Sequence, residues 1–144
     1  MKEQDTVRLL RECDAGIKMG IESIDDILPK VKDETFKDIL TENRKKHIEL
    51  KEKIKDALSD FQDDGKEPPL FAQIMSQFKT SFKTAINPTD NAIANLITDG
   101  GNMGIKSLNR YLNEYQAADE NSKGITKKLI AVEERLVADT KEFL

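Results

Sequence analysis

The sequence predicts an all-α protein, a four-helix bundle made of two similar helical hairpins joined by a long crossover. Three observations predict it. Apolar residues recur in steps of three and four along most of the chain, Gly and Pro gather at only a few points, and two separate stretches repeat one another. At 144 residues the chain fits one domain, residues 1–144, with hairpin 1 over about 5–61, the crossover over about 62–88 and hairpin 2 over about 89–144. Charged residues make up 35% and hydrophobic residues 38%, with no Trp and two Tyr, a usage that suits charged amphipathic helices better than sheets.

The elements follow in order. Helix 1, about Thr6 to Leu28, carries Leu10, Cys13, Ile17, Gly20, Ile24 and Ile27 on one seam. Pro29 and the polar KVKDE stretch end it, and Asp33 is placed to cap helix 2. Helix 2 presents Phe36, Leu40, Asn43, His47, Leu50, Ile54, Ala57 and Phe61, so two polar residues stand in the middle of an apolar seam. Gly65, Pro68 and Pro69 then interrupt all periodicity. A shorter amphipathic helix, about Leu70 to Ile86, sets Phe71, Ile74, Phe78 and Phe82 on one side. Asn87 as cap, with Pro88 in the first turn, opens helix 3, whose seam is Ala94, Ile97, Gly101, Gly104, Leu108, Tyr111 and Tyr115. Helix 4, from about Ser122, presents Ile125, Leu129, Val132, Leu136, Asp139 and Phe143.

The repeat is the strongest signal. MGIESI from Met19 matches MGIKSL from Met103, and KKHIELKEKI from Lys45 matches KKLIAVEERL from Lys127, with the seams of both helices in register. Each hairpin has an apolar stripe, and the two stripes bury best against each other. A helix of about 23 residues is ~35 Å long at ~1.5 Å per residue, a distance that the short connector helix largely covers. Helix 2 is therefore expected to end at one pole and helix 3 to begin at the other.

Several function classes are excluded at this level. The net charge is -4, with Lys and Glu interspersed, so no basic stripe exists to follow a nucleic-acid backbone. The first residues lack the apolar stretch of a secretory signal and no run approaches ~20 apolar residues, so a cytoplasmic, non-membrane protein is expected. Cys13 stands alone and reads as a small core hydrophobe. No Ser-His-Asp set or Cys-His pair is present, and TDGGNMG lies inside a helical pattern rather than after a strand, which argues against a phosphate loop.

With PLFAQIMSQFKTSFKTAINPTDNAIANLITDGGNMGIKSLNRYL, from Pro69 to Leu112, and DAGIKMGIESIDDIL, from Asp14, the chain resembles the ferritin-like superfamily. It is most similar to a group of small bacterial ferritin-like domains of unknown function with an aromatic-bearing crossover helix. The resemblance implies two hairpins joined by a long crossover, and it raises the question of a di-iron centre. Such centres take a carboxylate from each of two helices and Glu-x-x-His from the other two. The chain has one His; three residues before His47 stands Arg44, and the aligned pair on helix 4 is Thr126 with Leu129. Where relatives place an acidic residue after Gly, helix 1 has Lys18 and helix 3 has Asn102. The resemblance therefore implies the scaffold and withholds most of the ligands.

Two readings stand side by side. In the first, the chain is a non-catalytic ferritin-like bundle without cofactor, acting by binding or self-association; His47 is then a neutral histidine hydrogen-bonded beside Asn43, in a polar layer that fixes helix register. In the alternative, His47, Glu22, Glu42, Glu133 and Glu134 hold iron or manganese, at a di-iron or single-metal site with oxidase or storage-type chemistry. Gly16, Gly20, Gly100, Gly101 and Gly104 lie mid-helix, although each costs about 1 kcal/mol relative to Ala. Close approach of the helices, or room for a ligand, must compensate. The face of Phe71, Ile74, Phe78 and Phe82 is expected either to lie across the bundle or to meet a protein partner or a second copy of the chain; with only Lys79 and Lys83 beside it, it is a poor membrane surface.

Overall fold

The computed structural model describes residues 2–61 and 86–144. Four helices make up the bundle: α1 (Lys2–Ile27), α2 (Glu34–Ser59), α3 (Asp90–Glu114) and α4 (Glu120–Thr140), with no strand among the described residues. The helix expected over Leu70–Ile86, with Phe71, Ile74, Phe78 and Phe82, lies outside the described residues except for Ile86, which is not helical. No helix among the described residues is long and apolar enough to cross a membrane.

The chain's punctuation sets the helix ends. α1 stops at Ile27, and one 3-10 turn over Leu28–Lys30 holds Pro29, which has no N–H to continue the α-helical ladder. Asp33 caps α2 as expected, its carboxylate accepting the Phe36 N–H at 2.9 Å. α3 begins later than the sequence suggests. Asn87 has a left-handed backbone (φ 51°), so it cannot hold the extended geometry of a cap, and Thr89 takes that place by accepting the Ala92 N–H at 3.1 Å. α4 begins earlier, at Glu120, because Asp119 accepts the Ser122 N–H at 2.7 Å.

Side chains at the start of each hairpin hold the turn of the other. Both carboxylate oxygens of Asp90, the first residue of α3, accept backbone N–H groups of the α1–α2 turn, from Lys32 and Asp33, at 2.9 Å each. At the opposite pole Asp5 accepts the Ala117 N–H at 3.1 Å and Thr6 accepts the Asp119 N–H at 2.8 Å, tying the α3–α4 turn to the start of α1. α1 and α3 therefore run antiparallel. α3 starts at the pole of the α1–α2 turn, whereas α2 ends at the other. Around the bundle the order is α1, α2, α4, α3; the α1–α2, α3–α4 and α2–α4 contacts are the most extensive.

The core falls into two clusters. One, toward the α3–α4 turn, gathers Leu10, Cys13, Ile17, Ile54, Leu108 and Leu129. The other, toward the α1–α2 turn, gathers Ile24, Ile27, Phe36, Leu40, Ile97 and Leu136. Burying side chains of this size stabilises by about 1.5–3 kcal/mol each relative to exposure. Phe36 is fully buried and stacks on Phe143 with ring centroids 4.5 Å apart, closing that end of the core. Cys13 is fully buried as expected: its sulfur lies 3.2 Å from the Thr126 hydroxyl, and burial pushes the thiol up to about 12. Between the two clusters, halfway along the bundle, lies a layer of glycines and polar side chains.

Candidate functional site

That layer is built around His47. The four-three spacing of α2 turns Asn43 and His47 inward together with Leu40 and Leu50, and the imidazole is 1% exposed. A ring so buried must find partners for both nitrogens. Nδ1 lies 3.0 Å from the Asn43 backbone carbonyl, which can only accept, so Nδ1 carries a hydrogen. Nε2 lies 2.7 Å from Glu133 Oε1 on α4. With Nδ1 protonated, that short bond needs one more proton, held by the ring as an imidazolium or by the carboxyl.

Burial pulls the His47 pKa down, but the hydrogen bond to Glu133, the charge of Glu133 and the Asn43 carbonyl together outweigh it and raise the pKa above the usual histidine value. His47 is hydrogen-bonded beside Asn43 as expected, and its second partner, the Glu133 carboxyl, comes from another helix. Asn43 itself donates Nδ2 to the Val132 carbonyl at 3.2 Å, while its buried Oδ1 has no partner among the described residues.

The glycines divide into two kinds. A Cβ on Gly20 would lie 2.7 Å from His47 Nε2, and one on Gly101 would lie 2.6 Å from Val137 Cγ2, so these two make room for side chains arriving from α2 and α4. A Cβ on Gly100 would meet nothing within 4 Å, and one on Gly104 would meet only the Glu133 side chain, at 3.9 Å. Close approach therefore accounts for Gly20 and Gly101; Gly100 faces open space, and at Gly104 a Cβ would fit in ordinary contact with Glu133.

That space is a cavity of about 70 Å³ at the level where the two core clusters part. Apolar side chains such as Ile24, Ile97, Leu108 and Leu129 wall it, and His47 and Glu133 provide its titratable groups. Gly16, Gly20, Gly100 and Gly104 are only half-buried and form its rim between α1 and α3. Glu133 spends Oε1 on His47 and turns Oε2 toward α3, 3.9 Å from where a Cβ would stand on Gly101 or on Gly104.

Of the five residues weighed as metal ligands, the structure brings together two, His47 and Glu133. Glu22, Glu42 and Glu134 are exposed, on α1, α2 and α4. Arg44, which stands where a Glu-x-x-His motif needs its carboxylate, forks onto Asp25 at 2.7 and 3.3 Å, and Lys18 pairs with Asp14 at 2.7 Å. Among the described residues no three His, Cys, Asp or Glu side chains converge on a point. Both imidazole nitrogens are engaged and one carboxylate remains, a donor set that does not fit two cations needing several hard anionic oxygens. The interaction face of Phe71, Ile74, Phe78 and Phe82 lies outside the described residues.

The sequence names the parts of the site without their pairing. Position on a helix face marks His47 as inward; it does not say which of several glutamates lies across the core. Set beside known families, curated proteins and solved structures, the chain matches none.

Proposed function

We propose that this protein is a ferritin-like binding module, which holds a small molecule in mid-bundle where ferritin-like enzymes hold metal, and which makes or breaks no bond. One observation carries the reading: the cavity between the two core clusters, with a buried, proton-holding His47–Glu133 pair on its wall and two glycines beside it that no packing contact requires. Each of those glycines costs about 1 kcal/mol of helix stability relative to Ala, so keeping the space open is what offsets it.

The ferritin-like part of the proposal draws on three supports. The two hairpins present aligned seams, the end of α2 and the start of α3 stand at opposite poles, and α1 and α3 run antiparallel. The resemblance also raises iron and manganese, but the donor set speaks for a site without them. The test is a titration of the full-length chain, labelled with nitrogen-15, against a panel of small alcohols, ketones and amines and against xenon. Saturable shifts of the Gly100, Gly101 and Gly104 amide signals are expected with at least one probe. No saturable shift with any of them would overturn the reading, as would stoichiometric iron or manganese in protein produced with both metals.

A further inference from the structure

The wall of the cavity carries enough chemistry to name the class of ligand. This inference rests on the binding reading above and deepens it. Three constraints act together. The volume, about 70 Å³, is under half that of the roughly 150 Å³ cavity known to take benzene, so the occupant has about three or four heavy atoms, or presents an end of that size. Most of the lining is aliphatic, so the body of the ligand is apolar. The third constraint is set by Glu133.

His47 Nδ1 is committed to the Asn43 carbonyl and Nε2 to Glu133 Oε1. Neither nitrogen can donate to a ligand without breaking an existing bond. Oε2 of Glu133 is the carboxylate atom on offer, turned toward α3, where the absent side chain of Gly104 leaves room beside it; the Ser23 hydroxyl on the same lining can donate or accept, so it does not exclude a ligand that donates to Glu133. A carboxylate oxygen only accepts. A ligand group beside it must therefore donate, and a bare carbonyl or a carboxylate there would place acceptor against acceptor. Glu133 is already engaged by His47 through Oε1, and an ammonium would have to shed its water among aliphatic walls that offer it no second acceptor carboxylate, so a cationic ligand is disfavoured.

We propose that the cavity binds small neutral molecules of the alcohol class, or the hydroxyl end of a longer apolar one, with the O–H donated to Glu133 Oε2 and the carbon skeleton against the aliphatic wall. Gly104 acts as a specificity-determining position: a side chain there would occupy the space next to the acceptor.

The deciding comparison uses three probes with one carbon skeleton on the wild-type chain, 2-propanol, acetone and isopropylammonium, read by the amide signals of the cavity glycines. Saturable binding of 2-propanol is expected, with a dissociation constant on the order of 1 mM for so small a molecule. Acetone and isopropylammonium are each expected to bind at least ~10-fold more weakly, about one hydrogen bond's difference. Equal binding of acetone and 2-propanol, or preference for the ammonium, would overturn the alcohol class and leave the binding reading standing. Saturation by none of the three or by any other probe would remove both. In a folded Gly104→Leu chain, whose signals outside the cavity serve as the control for structure, 2-propanol binding is expected to be lost; full retention would overturn the placement.

Discussion

The two hairpins present their seams in the same register, yet they treat the middle of the bundle differently. In hairpin 1 the seam glycine, Gly20, faces an imidazole that fills the space beside it. In hairpin 2 the aligned glycine, Gly104, stands near Leu129 and meets only the side chain of Glu133, at van der Waals distance. One glycine is a socket and the other a gap. The difference follows from one residue: the position that is His47 in α2 is Leu129 in α4. A histidine buried at 1% exposure needs a partner, and the partner comes from the other hairpin, so the polar group and the empty space arise on opposite sides of the same layer. A small sequence difference between two similar halves is thus enough to make a site where a symmetric bundle would have a closed core.

Changing one partner of the pair is the severest way to break this comparison. Glu133→Leu leaves His47 buried with one nitrogen unpaired, and a loss of about 2–4 kcal/mol in urea unfolding is expected. In the double variant His47→Leu, Glu133→Leu, which makes hairpin 1 resemble hairpin 2 at this level, most of that stability should return. A single variant as stable as wild type would show that the pair is not desolvated.

The glycines come next. Gly20→Ala forces the His47 ring, already fixed at both nitrogens, to move, at an expected cost of about 1–3 kcal/mol in the same assay. Gly100→Ala meets no obstacle and removes a helix-interior glycine, so it is expected to raise stability by about 0.5–1 kcal/mol. If both substitutions moved stability in the same direction, the division into sockets and gaps would be wrong.

The gentlest probe is pH. Since the folded pKa of His47 is raised above its unfolded value, near 6.5, the stability it contributes is fully present below that value and is lost as pH rises through the folded pKa. The groups facing the ring are Glu133 from α4, the Asn43 carbonyl from α2 and uncharged Gly20 from α1. Wild type minus the His47→Leu, Glu133→Leu variant, followed by urea midpoints from about pH 5.5 upward, should therefore shrink with rising pH. A difference that grows would reverse the sign assigned to the pair. Glu12, raised mainly by burial, adds a slope of the same sign above its unfolded pKa of 4.5 to the stability of each chain, and cancels in the difference. Glu12→Gln, which can still accept from Tyr111, should remove that part alone.

Much of the fold was legible because its signals are local. The seam of α2 predicted from Phe36 to Phe61 is buried at every position as far as Ala57, apolar or not, while Phe61 falls in the turn beyond Ser59 and is half-buried; the Asp33 cap forms as read. The start of α3 was misplaced because Asn-Pro reads as a cap and first turn, whereas the backbone at Asn87 goes left-handed and hands the cap to Thr89. Of the site, the inward position of His47 and the cost of the mid-helix glycines were legible. That Gly20 accommodates His47 and Gly101 accommodates Val137 was not, since each contact joins residues on different helices.

By itself, then, the sequence determined the helices, their buried faces and the two polar residues that would enter the core, because helical periodicity assigns every residue to a face without reference to any other element. Only the tertiary structure decided that Glu133, and not Glu22, Glu42 or Glu134, would meet the imidazole, and that two glycines would be filled and two left open. Those outcomes depend on the relative rotation and axial register of whole helices. A shift of one residue along α4 would turn its face by about 100° and bring a different side chain to His47.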